Sequence, residues 1–125
     1  MKILVVDDEK DVQLLFQQRF RKEIKKQEMH FEFAFSGEEA WEYLEENPHE
    51  AVLILSDINM PGMSGLELLR QIKTTYRKPP PKVMMITAYG DETNYNSAME
   101  LGADDFLTKP VEFGELKEKL KAIVP

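Results

Sequence analysis

Short apolar stretches recur along the chain, and between them apolar residues return every three or four positions. The run Ile3 to Val6 is unbroken and rich in β-branched residues, which predicts a strand covered on both faces, and it stops at Asp7 and Asp8. From Glu9 onward, Val12, Leu15, Phe16, Phe20 and Ile24 keep a helical spacing, predicting one long amphipathic helix with a basic tail of Arg19, Arg21, Lys22, Lys25 and Lys26. Cations near a helix carboxyl end complement its dipole, which is the simplest account of that tail. Phe31, Phe33 and Phe35 alternate with Glu32 and Ala34 and predict a second strand; Ser36 then stands as the cap of a helix that Asn47 and Pro48 end.

The second half repeats the theme. Ala51 to Ser56 is a continuous apolar strand that delivers Asp57 into the loop DINMPGMSG, and Leu66, Leu69 and Ile72 mark a third helix. Consecutive prolines in YRKPPPK forbid helix and predict an extended connection. Val83 to Ile86 is a fourth strand ending at Thr87, followed by a more polar helix over 91–101 with Tyr95, Ala98 and Met99 on one side and Gly102 as its carboxyl cap. The segment DDFLT is the last strand and stops at Lys109 and Pro110; Phe113, Leu116, Leu120 and Ile123 line the last helix. Strictly alternating elements predict a (βα)5 α/β fold, a doubly wound five-stranded parallel sheet with helices on both faces and right-handed crossovers.

That architecture concentrates chemistry. In an open parallel sheet, ligands bind beyond the carboxyl ends of the strands, and Asp7, Asp8, Asp57, Thr87 and Lys109 all lie at such ends. Any one alone reads as ordinary loop chemistry; four strands each delivering a polar group to one edge is a different matter. Gathered carboxylates repel unless a cation sits among them, and a Lys ammonium is a point charge suited to a phosphoryl group. Mg²⁺ takes oxygen ligands from one or two carboxylates, waters and phosphate. Asp8 and Asp57 can supply carboxylates, and Asp7 can orient a water. An aspartate can attack phosphorus once the two negative charges are offset, and Asp57, between a buried strand and a glycine-bearing loop, is the best candidate nucleophile. Thr87 and Lys109 can hold phosphoryl oxygens. Pro110 is a candidate for a cis peptide bond that would fix the aim of Lys109, although trans is the commoner form.

Composition narrows the reading. A length of 125 residues predicts one domain over 1–125, and 16 Lys plus Arg against 23 Asp plus Glu, a net charge of -7, argues against direct nucleic-acid binding. The absence of cysteine removes disulfides and thiolate metal sites and fits a cytoplasmic location. No run approaches the roughly 20 apolar residues of a membrane span, and the amino end lacks the apolar length of a signal peptide. His30 and His49 have no partner at metal-ligand spacing, and Trp41 reads as a packing residue.

The segments LVVDDE, LILSDINMPGMSGLELL, MMITAY and GADDFLTKPV, spread over positions 4 to 111, resemble the response-regulator receiver domain of two-component signalling, and are similar to chemotaxis-type single-domain receivers. The resemblance implies a flavodoxin-like sheet of order 2-1-3-4-5. It implies Asp57 as phosphoacceptor, Asp8 as a direct Mg²⁺ ligand, Asp7 as a ligand through water and Asn59 as a ligand through its backbone carbonyl, with Mn²⁺ as a possible substitute metal. Thr87 and Lys109 would contact the phosphoryl group, Phe106 would stand at the switch aromatic where many relatives have Tyr, and Asn59 and Tyr89 would border the path of the water that hydrolyses the phosphoryl bond. The partners implied are a sensor histidine kinase or histidine phosphotransfer protein and a downstream protein at the face of the fourth helix, fifth strand and fifth helix (α4-β5-α5 of such receivers), where Asp91, Asn94, Glu112 and Lys119 are the surface candidates.

Rival functions fare worse on the same residues. A magnesium-dependent phosphatase with an aspartyl nucleophile needs a second acid close by to protonate the leaving group, and Asn59 cannot provide one. A flavodoxin-like cofactor binder needs backbone or hydroxyl donors after the first strand, where Asp7 and Asp8 stand instead. A receiver reduced to a docking scaffold would not need the full set from Asp7 to Lys109. The short remainder after Val124 leads to the expectation of a receiver that acts alone.

Overall fold

The computed structural model describes residues 2–47, 53–75, 81–88 and 90–123. In chain order the elements are β1 (Lys2–Val6), α1 (Asp11–Arg19), α2 (Arg21–Lys25), β2 (His30–Ala34), α3 (Gly37–Glu46), β3 (Leu53–Asp57), α4 (Gly65–Thr75), β4 (Lys82–Thr87), α5 (Glu92–Glu100), β5 (Asp105–Thr108) and α6 (Phe113–Ile123). The five strands pair in parallel in the order β2-β1-β3-β4-β5, the doubly wound, flavodoxin-like arrangement.

Strand periodicity sorts the core into two layers. Leu4, Val6, Ile54, Val83 and Met85 face one way and pack with Ala40, Leu44, Leu68, Leu69, Ile72 and Ala98 from α3, α4 and α5. Their neighbours Ile3, Val5, Leu53, Leu55, Met84 and Ile86 face the other way, against Phe16 and Phe20 of the first helical segment and Leu116 and Leu120 of α6. Apolar residues on both faces of β1, β3 and β4 are what a central parallel strand requires, so the unbroken apolar runs carry the topology.

The predicted long first helix is interrupted. Phe20 adopts φ -107° and ψ 20° between α1 and α2, while the hydrogen bonds Phe20 N–H to Phe16 O and Ile24 N–H to Phe20 O, both 2.9 Å, keep the helical course on either side. The break falls on a fully buried ring that packs at 5.8 Å from Phe16, 5.0 Å from Phe31 and 6.0 Å from Phe113. There are therefore six helices among the described residues, not five, and the expected fourth and fifth helices are α5 and α6. The apolar stripe is also narrower than its spacing suggested, since Leu15 is 39% exposed and Met99 of α5 is 43% exposed.

The caps match their residues. Ser36 Oγ accepts from Glu39 N–H at 3.0 Å, and Gly102, at φ +95°, lets Ala103 N–H reach back to Ala98 O at 3.0 Å, closing α5 with a left-handed residue. Pro48, Ala51, Val52, residues 76–80 of the proline-rich connection, His49 and Tyr89 lie outside the described residues.

Candidate functional site

The carboxyl edge of the sheet is built strand by strand. Beyond β1, Asp7 donates its N–H to Ala34 O at 3.1 Å, so the β1–β2 ladder extends one residue and holds a carboxylate only 5% exposed. Asp7 Oδ1 accepts from Glu9 N–H at 2.9 Å, an aspartate turn that leaves Asp8 exposed. Asp57 is the last residue of β3 and 3% exposed. Its backbone carbonyl accepts from Ser56 Oγ at 3.0 Å, and its Oδ1 lies 3.4 Å from Asn59 N–H, a long contact.

Lys109 arrives from the far side. Its N–H donates to Thr87 O at 2.8 Å, carrying the β4–β5 ladder past the end of β5, and its Nζ donates to Asp57 Oδ2 at 3.0 Å. The Lys109–Pro110 peptide is cis. Thr87 is 4% exposed, and its Oγ1 has no hydrogen-bond partner. A buried hydroxyl without a partner is costly, so this one is an opening for a ligand oxygen.

The loop after Asp57 is pinned at both ends. Ile58 N–H donates to Ile86 O at 3.1 Å and Gly65 N–H to Ile58 O at 2.8 Å. A Cβ on Gly65 would collide with the Asp57 carbonyl, so only glycine permits this approach. Glu38 Oε2 also accepts from Met63 N–H at 3.1 Å, tying the loop to the start of α3. Sequence reasoning missed Glu38, because an acid in the first turn of a helix already has an explanation in the dipole.

Electrostatically the edge carries too much negative charge. Asp7, Asp8 and Asp57 each offer a carboxylate oxygen, all within 4.8 Å of one another. Burial, with the Asp57 charge adding to it, holds the Asp7 carboxyl above its usual range against the opposing Glu9 N–H and Lys109. Burial would lower the Lys109 ammonium, but its hydrogen bond to Asp57 and the charges of Asp57, Asp7 and Glu9 outweigh this and raise it. One lysine among three carboxylates leaves a net anionic nest of hard oxygen donors, with the chemistry of a magnesium site.

One further candidate lies deeper along β5. Phe106 pairs with Met85 in the ladder, is half-buried, and meets Tyr95 edge-on with centroids 4.2 Å apart. Thr87, Tyr95 and Phe106 border a cleft of about 320 Å³. All four surface candidates have local roles: Asp91 caps α5 through Asn94 N–H and accepts from Asn94 Nδ2 at 2.6 Å, Glu112 accepts from Gly114 and Glu115 N–H, and Lys119 pairs with Asp105 at 3.1 Å.

An all-parallel α/β sheet that ends in clustered carboxylates facing a lysine and an unpartnered hydroxyl defines the class: a doubly wound domain whose carboxyl edge carries an acidic cluster that could hold a metal ion. Comparison with known proteins gives the family. The family model for the response regulator receiver domain matches residues 3–121, and the chain belongs to that family. The response regulator RppA of Synechocystis sp. is 36% identical over 123 residues, which is 98% of this chain and 50% of that protein, so the chain spans half the length of this curated relative. Crystal structures of a receiver domain protein from Clostridium thermocellum (TM-score 0.85, 29% identity, 98% of this chain and 93% of that one) and of a receiver protein from Pseudomonas putida (TM-score 0.82, 29% identity, 97% and 95%) have the same fold. Receiver domains are signalling modules of two-component response regulators and not conventional enzymes. No helix among the described residues is long and apolar enough to cross a membrane.

Proposed function

We propose that this chain is a single, phosphorylation-switched receiver unit that takes a phosphoryl group onto Asp57 from a phosphohistidine on a sensor histidine kinase or histidine phosphotransfer protein. The observation that carries the reading is the buried Asp57 carboxylate, bonded to Lys109 at 3.0 Å within 4.8 Å of the oxygens of Asp7 and Asp8. Asp7, Asp8, Asp57 and the backbone carbonyl of Asn59 would hold Mg²⁺, with Mn²⁺ able to replace it. The oxygen-only donor set and the raised Asp7 carboxyl fit such an ion. When bound, it supplies the positive charge that lets an anionic nucleophile meet an anionic phosphoryl group.

The remaining work falls to the chain. An Asp57 carboxylate oxygen forms a bond to phosphorus as the phosphorus–nitrogen bond of the donor breaks. The bonding pair leaves with the imidazole nitrogen, which takes up a proton. Lys109 turns its Nζ ammonium from the free carboxylate to a phosphoryl oxygen, and the Thr87 hydroxyl donates to another, which gives its buried oxygen a partner. Hydrolysis by water then restores the carboxylate, with Asn59 bordering the path of attack.

The output is a change in packing. Thr87 rotates toward the phosphoryl group and Phe106 follows into the cleft they share, altering the face of α5, β5 and α6 that a downstream protein reads. Phe106 has no phenol to anchor that state, so the coupling is steric. The site works in the cytoplasm, without direct contact with nucleic acid or membrane. Incubation with Mg²⁺ and a small phosphodonor, followed by intact-mass measurement, tests the reading: wild type gains one phosphoryl adduct and Asp57→Asn gains none. Equal adducts on both, or none on wild type, refute it.

A further inference from the structure

The basic stretch from Arg21 to Lys26 takes no part in the carboxyl edge, and the helix dipole accounts for only part of it. Lys22 and Lys25, in the last turn of α2, complement the dipole, whereas Arg21 opens that segment, where positive charge is unfavourable. The hydrogen bond from Lys26 N–H to Lys22 O, 3.0 Å, stacks those two cations one turn apart, and Arg21 and Lys25 share the same separation. Like charges at this spacing destabilise a helix. Among the described residues none of the four forms an ion pair, in a chain whose net charge is -7.

Two of these cations, Arg21 and Lys25, border a groove of about 450 Å³ between the α1–α2 segment and β2. Arg21, Lys25 and His30 on its lining are exposed, while Ile24, Phe31 and Phe33 are half-buried and supply an apolar surface. β2 ends the sheet, and an edge strand offers unpaired backbone N–H and C=O groups to an added chain.

We infer that this groove docks an extended acidic segment of a partner protein, with an apolar side chain on Phe31 and Phe33 and carboxylates against Arg21 and Lys25. Charge complementarity selects the occupant: a positive groove on a negative protein draws an acidic segment and turns a basic one away. A nucleic acid would meet the repulsion of the remaining surface along its length. The groove uses none of the residues of the carboxyl edge, so it stands apart from the phosphorylation reading.

The test uses the full chain and a fluorescein-labelled peptide that alternates Glu with Val around a central Phe. Anisotropy titration at low salt gives saturable binding, and amide shifts on binding fall on β2 and the α1–α2 segment. Arg21→Glu/Lys25→Glu weakens binding at least tenfold with an unchanged circular dichroism spectrum. If that variant does not fold, Lys25→Gln, an exposed neutralisation, serves instead and weakens binding severalfold. Four results would overturn the inference: no saturable binding, equal affinity for the variant, equal binding of a Glu–Ser peptide without apolar side chains, or tighter binding of a single-stranded oligonucleotide to the same residues. Self-association of the wild type that the variant abolishes would also overturn it, by assigning the groove to a second copy.

Discussion

The aromatic cluster beneath α1 and the carboxyl edge of the sheet use opposite materials within the same half of the molecule. Phe16, Phe20, Phe31, Phe33 and Phe113 pack ring against ring with centroids 5.0 to 6.3 Å apart, a contact made of apolar rings alone. At the edge, three carboxylates crowd within 4.8 Å, one lysine answers them, and the Thr87 hydroxyl has no partner. The first region stabilises the fold, whereas the second is held in place by it. Substitutions in the two should therefore separate stability from ligand response.

The largest effect belongs to the cluster. Phe20→Ala removes a fully buried ring and should cost about 3–5 kcal/mol by urea unfolding, while whatever protein remains folded keeps its response to Mg²⁺. Gly65→Ala comes next, because a Cβ there strikes the Asp57 carbonyl. It should lose both stability, on the order of 1–3 kcal/mol, and the rate of phosphoryl uptake by intact mass.

At the edge the sign reverses. Asp7→Asn removes one of the crowded charges and should stabilise the metal-free protein by on the order of 1 kcal/mol, while abolishing the rise in melting temperature that Mg²⁺ gives the wild type. A loss of stability in metal-free Asp7→Asn would break the contrast between the two regions.

The smallest effect sits beside the cluster, at Glu23, whose Oε2 lies 3.1 Å from Lys117. Burial alone would raise this carboxyl, but its own backbone N–H and Lys117 outweigh burial and lower it. A carboxylate with a lowered folded pKa stabilises the fold above the ordinary value of 4.5 and loses that contribution as pH falls through the lowered one. Glu23→Gln should therefore cost under about 1 kcal/mol at neutral pH, and the difference from wild type should vanish as urea midpoints are followed below pH 4.5.

Legibility in the sequence follows the same division. The strand ends are readable because a central parallel strand must be apolar on both faces, so the first acid or threonine after Val6, Ser56 or Ile86 marks the carboxyl edge. The break at Phe20 is not, because Phe20 fits the period of an unbroken helix, and its packing against Phe31 and Phe113 is a contact between elements that the period does not carry. Glu38 holding Met63 N–H and the unpartnered Thr87 hydroxyl depend on contacts across elements, which no local pattern reports.

On the proposed function the carboxyl edge puts a phosphoryl group on one carboxylate, Asp57. This is tested by phosphorylating the protein with a small donor and Mg²⁺, reducing the acyl phosphate with borohydride, and mapping the peptides by mass. The prediction is a single converted residue, homoserine in place of Asp57, that disappears when Mg²⁺ is chelated before the donor is added. Conversion at Asp7 or Asp8 instead, or equal conversion without the metal, would contradict it.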